Sequence, residues 1–264
     1  MLVLNCTKAA ADFFTVKRNG QKISPIEAPT TSMTDPASSD TREINVPNSV
    51  WQIHVINVQR KKVLIAMHLD TRYAIVFADI KKGDWAGFSN QLINRLFGNM
   101  YLFGESFSLC DETSMSQIFD RFVEIHRRPV YYQQGNRSVQ AHMNDVAFHF
   151  ENFAHEVGCL PKDDDEASSF DDWVNSRIRS TKEKKEHFYP DEEMFIHWMQ
   201  NYSKLDNNED EIARQLFQTL RQEILKAQLQ DADDTDPEGF PHEIQNELSN
   251  IIDFNQTKNN LNKS

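Results

Sequence analysis

Three consecutive apolar runs constrain the fold of this chain more than any other feature. Residues 51–58, 62–69 and 73–80 are apolar and rich in β-branched side chains, and only short polar breaks separate them. Such breaks are too short for the crossover that parallel neighbours require, so the runs predict three strands paired as an antiparallel meander. Any fold of this chain has to contain that sheet.

Helical periodicity surrounds the three runs. Thr7 is a candidate N-cap for a helix over 8–14, Asp84 caps a helix through 99, and a further helix is expected over 113–126. The clearest helix covers 138–157 and ends at Gly158, and its apolar stripe consists of Val139, Met143, Val146, Phe150, Phe153 and Val157. These patterns predict an α+β fold, in which a small antiparallel sheet packs against the helices at 84–99, 113–126 and 138–157 on one face.

Charge divides the chain into two parts. The formal net charge is −12, yet residues 1–160 hold 16 Lys/Arg and 16 Asp/Glu, whereas residues 161–254 hold 10 Lys/Arg and 24 Asp/Glu. The second part shows only helical patterns, at 170–180, 191–202, 209–230 and 242–254. We therefore expect an α+β body over 1–160 with a Ser/Thr/Pro-rich loop at 24–49, an acidic helical extension over 161–254, and a disordered tail over 255–264.

Several function classes are excluded by composition and motif. No apolar run approaches the roughly 18 residues that a membrane span requires, and the first residues lack the basic and apolar stretches of a signal peptide. The three cysteines form no CxxC pair, which is typical of a reducing cytoplasm. An acidic surface repels phosphate backbones, so we expect no nucleic-acid partner. The acidic helices instead predict a protein partner or self-association. Nucleotide-binding glycine loops are absent, and no cofactor is predicted.

One candidate site lies on the helix over 138–157. His142, Asp145 and His149 are spaced i, i+3 and i+7, which places an imidazole pair and a carboxylate on one face. They could form a metal or acid–base site, or the histidines could be half-buried packing residues at the edge of the apolar stripe. Cys6 is similarly open to two interpretations, as a nucleophile or as a small buried residue that ends a strand.

A second candidate site combines two helix starts. Thr7 and Lys8 begin one helix, and Asn136, Arg137 and Ser138 begin another, so each start supplies a hydroxyl and a cation beside unpaired backbone N–H groups. If the fold brings the two starts together, they would form a polar pocket for a phosphate or carboxylate. The alternative is that Thr7, Asn136 and Ser138 only cap their helices while the cations are solvated.

The same residues carry a family resemblance. Cys6-Thr7-Lys8 after an N-terminal strand, Trp51 at the start of the meander, and Asn136-Arg137-Ser138-Val139 followed by Met143-Asn144-Asp145 resemble an uncharacterised bacterial family, a domain of unknown function, over about residues 1–157. His142 and the Ser/Thr/Pro-rich loop depart from the family's pattern. The resemblance implies no activity, but the matching positions favour the helix-start pocket: Thr7, Lys8, Asn136, Arg137, Ser138, Asn144 and Asp145.

Two classes of function follow. The first is a cytoplasmic binding or regulatory module that contacts a protein partner or a small anionic ligand. The second is an enzyme that acts on an anionic substrate through Arg137, Asn144 and Asp145, with or without His142 and His149. We favour the first because no nucleophile is paired with a base in the sequence. Convergence of these side chains in one concave site would favour the second.

Overall fold

The fold centres on a six-stranded mixed sheet. A computed structural model describes residues 1–27, 49–109, 112–182, 187–202 and 208–233. Within them the strands are β1 (Leu2–Cys6), β2 (Val16–Arg18), β3 (Gln21–Ile23), β4 (Ile26–Glu27), β5 (Ser49–Val58), β6 (Lys61–His68), β7 (Ala74–Phe77) and β8 (Val130–Gln133). The large sheet has the order β4-β8-β1-β5-β6-β7, and β2 pairs with β3 in a separate hairpin.

The predicted meander is confirmed, but the sheet around it is larger than expected. β5, β6 and β7 pair antiparallel, with Trp51 opposite His68 and Leu64 opposite Phe77. β1 adds to β5 in parallel, and β8 and then β4 add in parallel beyond it. Parallel partners lie far apart in the chain and are not joined by a short turn, so no local sequence pattern predicts their pairing. The α+β class is therefore confirmed, with a mixed sheet in place of a small antiparallel one.

Local signals set most of the helix ends. The helices are α1 (Lys8–Phe14), α2 (Trp85–Ser106), α3 (Glu112–His126), α4 (Arg137–Val157), α5 (Asp164–Asn175), α6 (Pro190–Tyr202) and α7 (Asn208–Asp233). Thr7 caps α1 and Asn136 caps α4 through side-chain oxygens, and Gly158 ends α4 in the left-handed conformation at φ 77°. Two predicted bounds are wrong, since α2 continues past residue 99 and α5 begins and ends before the expected 170–180.

Helices cover both faces of the sheet. On one face, Leu64 and Ala66 of β6 pack with the buried side chains of α1, α2, α3, α6 and α7. On the other, Val63, Ile65 and Met67 pack with α4 and α5. The prediction that the helices at 84–99, 113–126 and 138–157 share one face is wrong for the third of them. Strand residues alternate between faces, and all of positions 63–67 of β6 are apolar, so both faces of the sheet need cover.

The acidic helices complete the core. Phe195 and Trp198 of α6 and Phe217 of α7 are fully buried in the larger cluster, while Phe170 of α5 is fully buried in the smaller one. Residues 28–48 of the predicted loop, the predicted helix over 242–254, the predicted tail over 255–264 and Cys110 lie outside the described residues. Within the described part, no helix combines the length and apolarity that crossing a bilayer requires.

Candidate functional site

One polar face of α4 lies against two buried arginines. Ser138, His142 and Asp145 recur at i, i+4 and i+7 along this face. Arg72 reaches it from the turn between β6 and β7, and its Nη2 donates to Ser138 Oγ at 3.3 Å. Arg179 reaches it from the segment after α5, and its Nη1 lies 3.9 Å from Asp145 Oδ2. Arg72 is 7% exposed and Arg179 is 6% exposed, so both cations are more than nine-tenths buried.

The backbone of Arg72 is held in an uncommon conformation. Its φ is 60°, in the left-handed region that side chains larger than glycine or asparagine adopt rarely. The turn is closed by backbone bonds, since Arg72 N–H donates to His68 C=O at 3.1 Å and His68 N–H donates to Tyr73 C=O at 2.9 Å. Glycine or asparagine would suit this conformation better, so the turn holds arginine in a mildly strained backbone position.

Arg179 is fixed by its backbone and only partly bonded at its side chain. It forms an isolated β-bridge with Phe188, donating its N–H at 2.8 Å and accepting at 2.9 Å. Nη2 donates to Val174 C=O at 3.4 Å, but Nε and Nη1 have no hydrogen-bond partner among the described residues. Burial lowers the pKa of the guanidinium to about 10. The carboxylate of Asp145 raises this pKa, and the nearby Arg72 lowers it further. A buried cation with unused donors is costly unless something pairs with it.

His142 shares this environment. Its side chain is half-buried and lies near the backbone of Ser180, next to Arg179. Burial lowers the pKa of the imidazole below its usual value, and the Arg179 and Arg72 guanidiniums lower it further, while Asp145 opposes them. Burial and both guanidiniums therefore favour the neutral imidazole.

The other predicted residues are distributed around this group. Thr7 lies at the same sheet edge as the start of α4, because β1 and β8 are parallel and end together. The Thr7 hydroxyl, however, lies 3.0 Å from His54 Nδ1 and also caps α1, and Lys8 is exposed. In the part of the chain that the structure describes, no hydrogen bond or ion pair joins Thr7 or Lys8 to the start of α4.

Two asparagines at the start of α4 and on its exposed surface form hydrogen bonds with neighbouring groups. Asn136 Oδ1 accepts from the N–H groups of Ser138 and Val139, and Asn136 N–H donates to Gln52 Oε1 at 2.6 Å. Asn144 Oδ1 accepts from Gln140 Nε2 at 2.9 Å on the exposed side of the helix. Arg137 is exposed. Of the sequence-predicted pocket, the structure therefore brings only Ser138 and Asp145 to the buried arginines.

The remaining histidine and cysteine candidates, His149 and Cys6, are not part of the group around His142. His149 packs its ring against Trp173, with centroids 5.2 Å apart, and so belongs to the contact between α4 and α5 rather than to the group around His142. No three His, Cys, Asp or Glu side chains among the described residues are arranged to hold a metal ion. Cys6 is fully buried, and burial raises the pKa of its thiol to about 12, which favours the packing interpretation over a nucleophile.

Arg72 and Arg179 were missed by the sequence analysis. Each follows a regular element as an ordinary charged residue, in Asp70-Thr71-Arg72 and in Arg177-Ile178-Arg179. Such positions usually carry solvated charges, and only the tertiary structure shows that these two are buried together. A weak signal existed at Arg72, since the last residue of a short hairpin loop is often left-handed and favours glycine or asparagine.

Comparison with known proteins gives one finding. The model of a family described as a domain of unknown function, DUF6933, matches residues 3–193. The match continues past the expected limit at residue 157 and includes Arg72, the whole of α4 and Arg179. No curated protein and no solved structure gives a significant match.

Proposed function

The chain belongs to the DUF6933 family, a domain of unknown function, and we propose that it is a binding module that holds a small anion between Arg72, Arg179 and the facing side of α4. A single observation carries this proposal. Two guanidiniums from distant parts of the chain are buried against the same face of α4, and Arg179 keeps two nitrogens without a hydrogen-bond partner among the described residues.

Electrostatics supports an anion as the missing component. Two like charges in a partly desolvated site raise each other's energy, and each also loses hydration on burial. Asp145 offsets this only in part, because its carboxylate lies 3.9 Å from Arg179 Nη1 and its side chain is 63% exposed. Charge-assisted hydrogen bonds to a bound anion would use Nε and Nη1 of Arg179 and compensate that cation.

The adjoining face of α4 suits the same ligand. The Ser138 hydroxyl and the His142 imidazole add neutral hydrogen-bonding groups beside the cations, and Ser138 lies in the first turn, where the helix dipole favours negative charge. Ser138 and His142 are half-exposed and Asp145 is exposed, so solvent reaches this side of α4, while Nε and Nη1 of Arg179 beneath it are buried.

This arrangement favours binding over the enzyme alternative. Arg137 is exposed, Asn144 is bonded to Gln140, and Asp145 is paired with Arg179, so the three residues proposed for catalysis do not converge on one reacting atom. Of these candidates, His142 and Asp145 adjoin the buried cations.

The proposed setting is the cytoplasm of a bacterium, in keeping with the free thiols of Cys6 and Cys159. We retain the division into a body over 1–160 and an acidic extension over 161–254 as part of the proposal. Ile212 and Leu225 of α7 are exposed apolar side chains on that extension, and they support a protein partner or self-association there.

Calorimetric titration with sulfate and with inorganic phosphate tests the proposal. Arg179→Met keeps much of the side-chain volume and the backbone bridge but removes the charge, and we expect it to weaken binding by about 10- to 100-fold, the value of a charge-assisted hydrogen bond. Arg18→Ala, an exposed arginine in the β2–β3 hairpin, is the control for net charge and should bind like the wild type.

A third variant separates this site from the helix-start pocket. Arg137→Ala leaves both buried guanidiniums in place and should bind sulfate normally. Loss of binding in Arg137→Ala with normal binding in Arg179→Met would assign the anion to the helix starts instead. Absence of binding to the wild type would overturn the proposal.

A further inference from the structure

We propose that a second site lies on the sheet near the carboxyl ends of β1 and β8, where the Thr7 hydroxyl is a nucleophile for a neutral acyl ester and the His54 imidazole is its base. This inference goes beyond the proposed function. Its residues and its test are separate from those of the anion site around Arg72 and Arg179.

A row of polar side chains crosses three neighbouring strands at this place. Asn5 of β1 is in register with Gln52 of β5 and with Tyr132 of β8, so the three side chains project to the same side of the sheet. Gln52 Nε2 donates to Gln140 Oε1 of α4 at 3.0 Å, which identifies this side as the one that faces α4. Parallel strands buried on both faces are usually apolar at such positions. A polar row there breaks the local pattern, which is typical of a functional site.

Thr7 and His54 project to the same side, each two positions beyond a member of that row. Both are half-buried, and Thr7 Oγ1 lies 3.0 Å from His54 Nδ1. Thr7 Oγ1 already accepts from Ala10 N–H at 3.4 Å, so the hydroxyl proton is left to donate to Nδ1. Burial lowers the pKa of the imidazole, which favours the neutral form that a base requires. A hydroxyl bonded to a neutral imidazole is the arrangement of an activated nucleophile.

Asn5 and Tyr132 supply unused donors beside this pair. They are 8% and 7% exposed, and the structure records no hydrogen bond to either side chain among the residues that it describes. A buried amide or phenol without a partner is costly, so these two groups indicate a ligand that bonds to them. Amide N–H and phenol O–H groups are donors that stabilise the oxyanion of acyl transfer. None of the four side chains needs to be charged, which suits a neutral ester.

The reaction is the hydrolysis of an ester to an acid and an alcohol in two steps. Thr7 Oγ1 forms a bond to the carbonyl carbon while its proton passes to His54 Nδ1, and the oxyanion accepts from Asn5 and Tyr132. The bond to the alcohol oxygen then breaks, and the imidazolium returns the proton to that oxygen. In the second step, water gives a proton to His54 and attacks the acyl carbon. The bond to Thr7 Oγ1 breaks and this oxygen recovers the proton.

The neutral ester p-nitrophenyl acetate tests the proposal on the full chain. Thr7→Asn removes the nucleophile but keeps a good N-cap for α1, so the wild-type rate of p-nitrophenolate release minus the Thr7→Asn rate is the part due to Thr7. We expect this part to be retained in Thr7→Ser. His54→Gln keeps a hydrogen-bonding side chain without a base, and it should lower the part due to Thr7 by at least about 100-fold. Equal rates in the wild type and Thr7→Asn would overturn the inference, and so would a rate that His54→Gln leaves unchanged.

A measurement on the wild type covers the case in which a variant does not fold. The Thr15 hydroxyl is bonded to Ser24 Oγ at 2.9 Å and serves as an internal comparison. In acid-quenched samples, peptide mass spectrometry should find an acetyl ester on Thr7 at least about 100-fold more abundant than on Thr15. Comparable labelling of the two hydroxyls would overturn the inference. The proposed function is judged separately, by whether sulfate binding depends on Arg179.

Discussion

Asn175 completes the backbone hydrogen bonds of Ala74 at the edge of the sheet. Its Oδ1 accepts from Ala74 N–H at 2.7 Å, and its Nδ2 donates to Ala74 C=O at 2.7 Å. Among the described strands, β7 is the last of the sheet on this side. The side chain thus takes the place of a neighbouring strand, which hides an edge that could otherwise pair with another chain. It also fixes the end of α5, from which the chain leads to Arg179.

Asn175→Ala should lower the free energy of unfolding by about 3 kcal/mol, because two buried backbone groups lose their partners at once. Chemical denaturation measures this difference. Asn144→Ala is the matched control, since Asn144 is exposed and its Oδ1 accepts one bond from Gln140, and its effect should stay within about 0.5 kcal/mol. Equal effects of the two variants would contradict the structural role assigned to Asn175.

Arg72→Gly should separate stability from binding. Glycine adopts the φ of 60° without strain, so the variant should unfold within about 1 kcal/mol of the wild type while its affinity for sulfate falls by at least about tenfold. Arg72→Ala removes the same guanidinium but keeps the unfavourable backbone, and it should be less stable than Arg72→Gly. Denaturation and calorimetry on the same preparations check both statements, and undiminished sulfate affinity in Arg72→Gly would remove Arg72 from the site.

Asp145→Asn should bind sulfate more tightly than the wild type, by roughly three- to tenfold at low ionic strength. The carboxylate of Asp145 lies 3.9 Å from Arg179 and competes with an incoming anion for it, so its neutralisation strengthens the field of the site. The gain should shrink as salt is added. Weaker binding in Asp145→Asn would show instead that the carboxylate contributes a contact to the ligand, as the sequence analysis expects.

Acid should destabilise the protein through its buried histidines. Burial lowers the pKa of His126 to about 3 and lowers the pKa values of His68 and His197. The unfolded chain binds these protons near pH 6.5 and the folded chain does not, so their contribution to stability is lost as pH falls below about 6.5. The raised pKa of Asp171, to about 7 through burial, acts in the opposite direction over the same range.

A variant isolates one histidine from these opposing effects. In His126→Gln, the slope of unfolding free energy against pH between about 4.5 and 6 should be smaller than in the wild type by about 1.4 kcal/mol per pH unit, the equivalent of one proton. Urea denaturation at several pH values gives both slopes. Identical slopes would show that His126 takes up its proton in the folded state as readily as in the unfolded chain.

The sequence by itself determined the locally encoded elements. The Thr7 cap predicts α1, Asn136 and Gly158 bound α4, and the three apolar runs give β5, β6 and β7. These features depend on capping, on side-chain periodicity and on short turns, all of which act between residues a few positions apart. The family resemblance rests on the same local motifs, and the match to residues 3–193 confirms it.

Only the tertiary structure decided the rest. The parallel pairing of β1 with β5 and β8, and the placement of α4 on the face opposite α2, depend on contacts between distant segments that no local pattern specifies. In the sequence, Arg72 and Arg179 look like ordinary solvated cations, because the energy of a charged side chain depends on its burial and on neighbouring charges. Folding places them against Ser138 and Asp145, so the candidate site forms only in the folded chain.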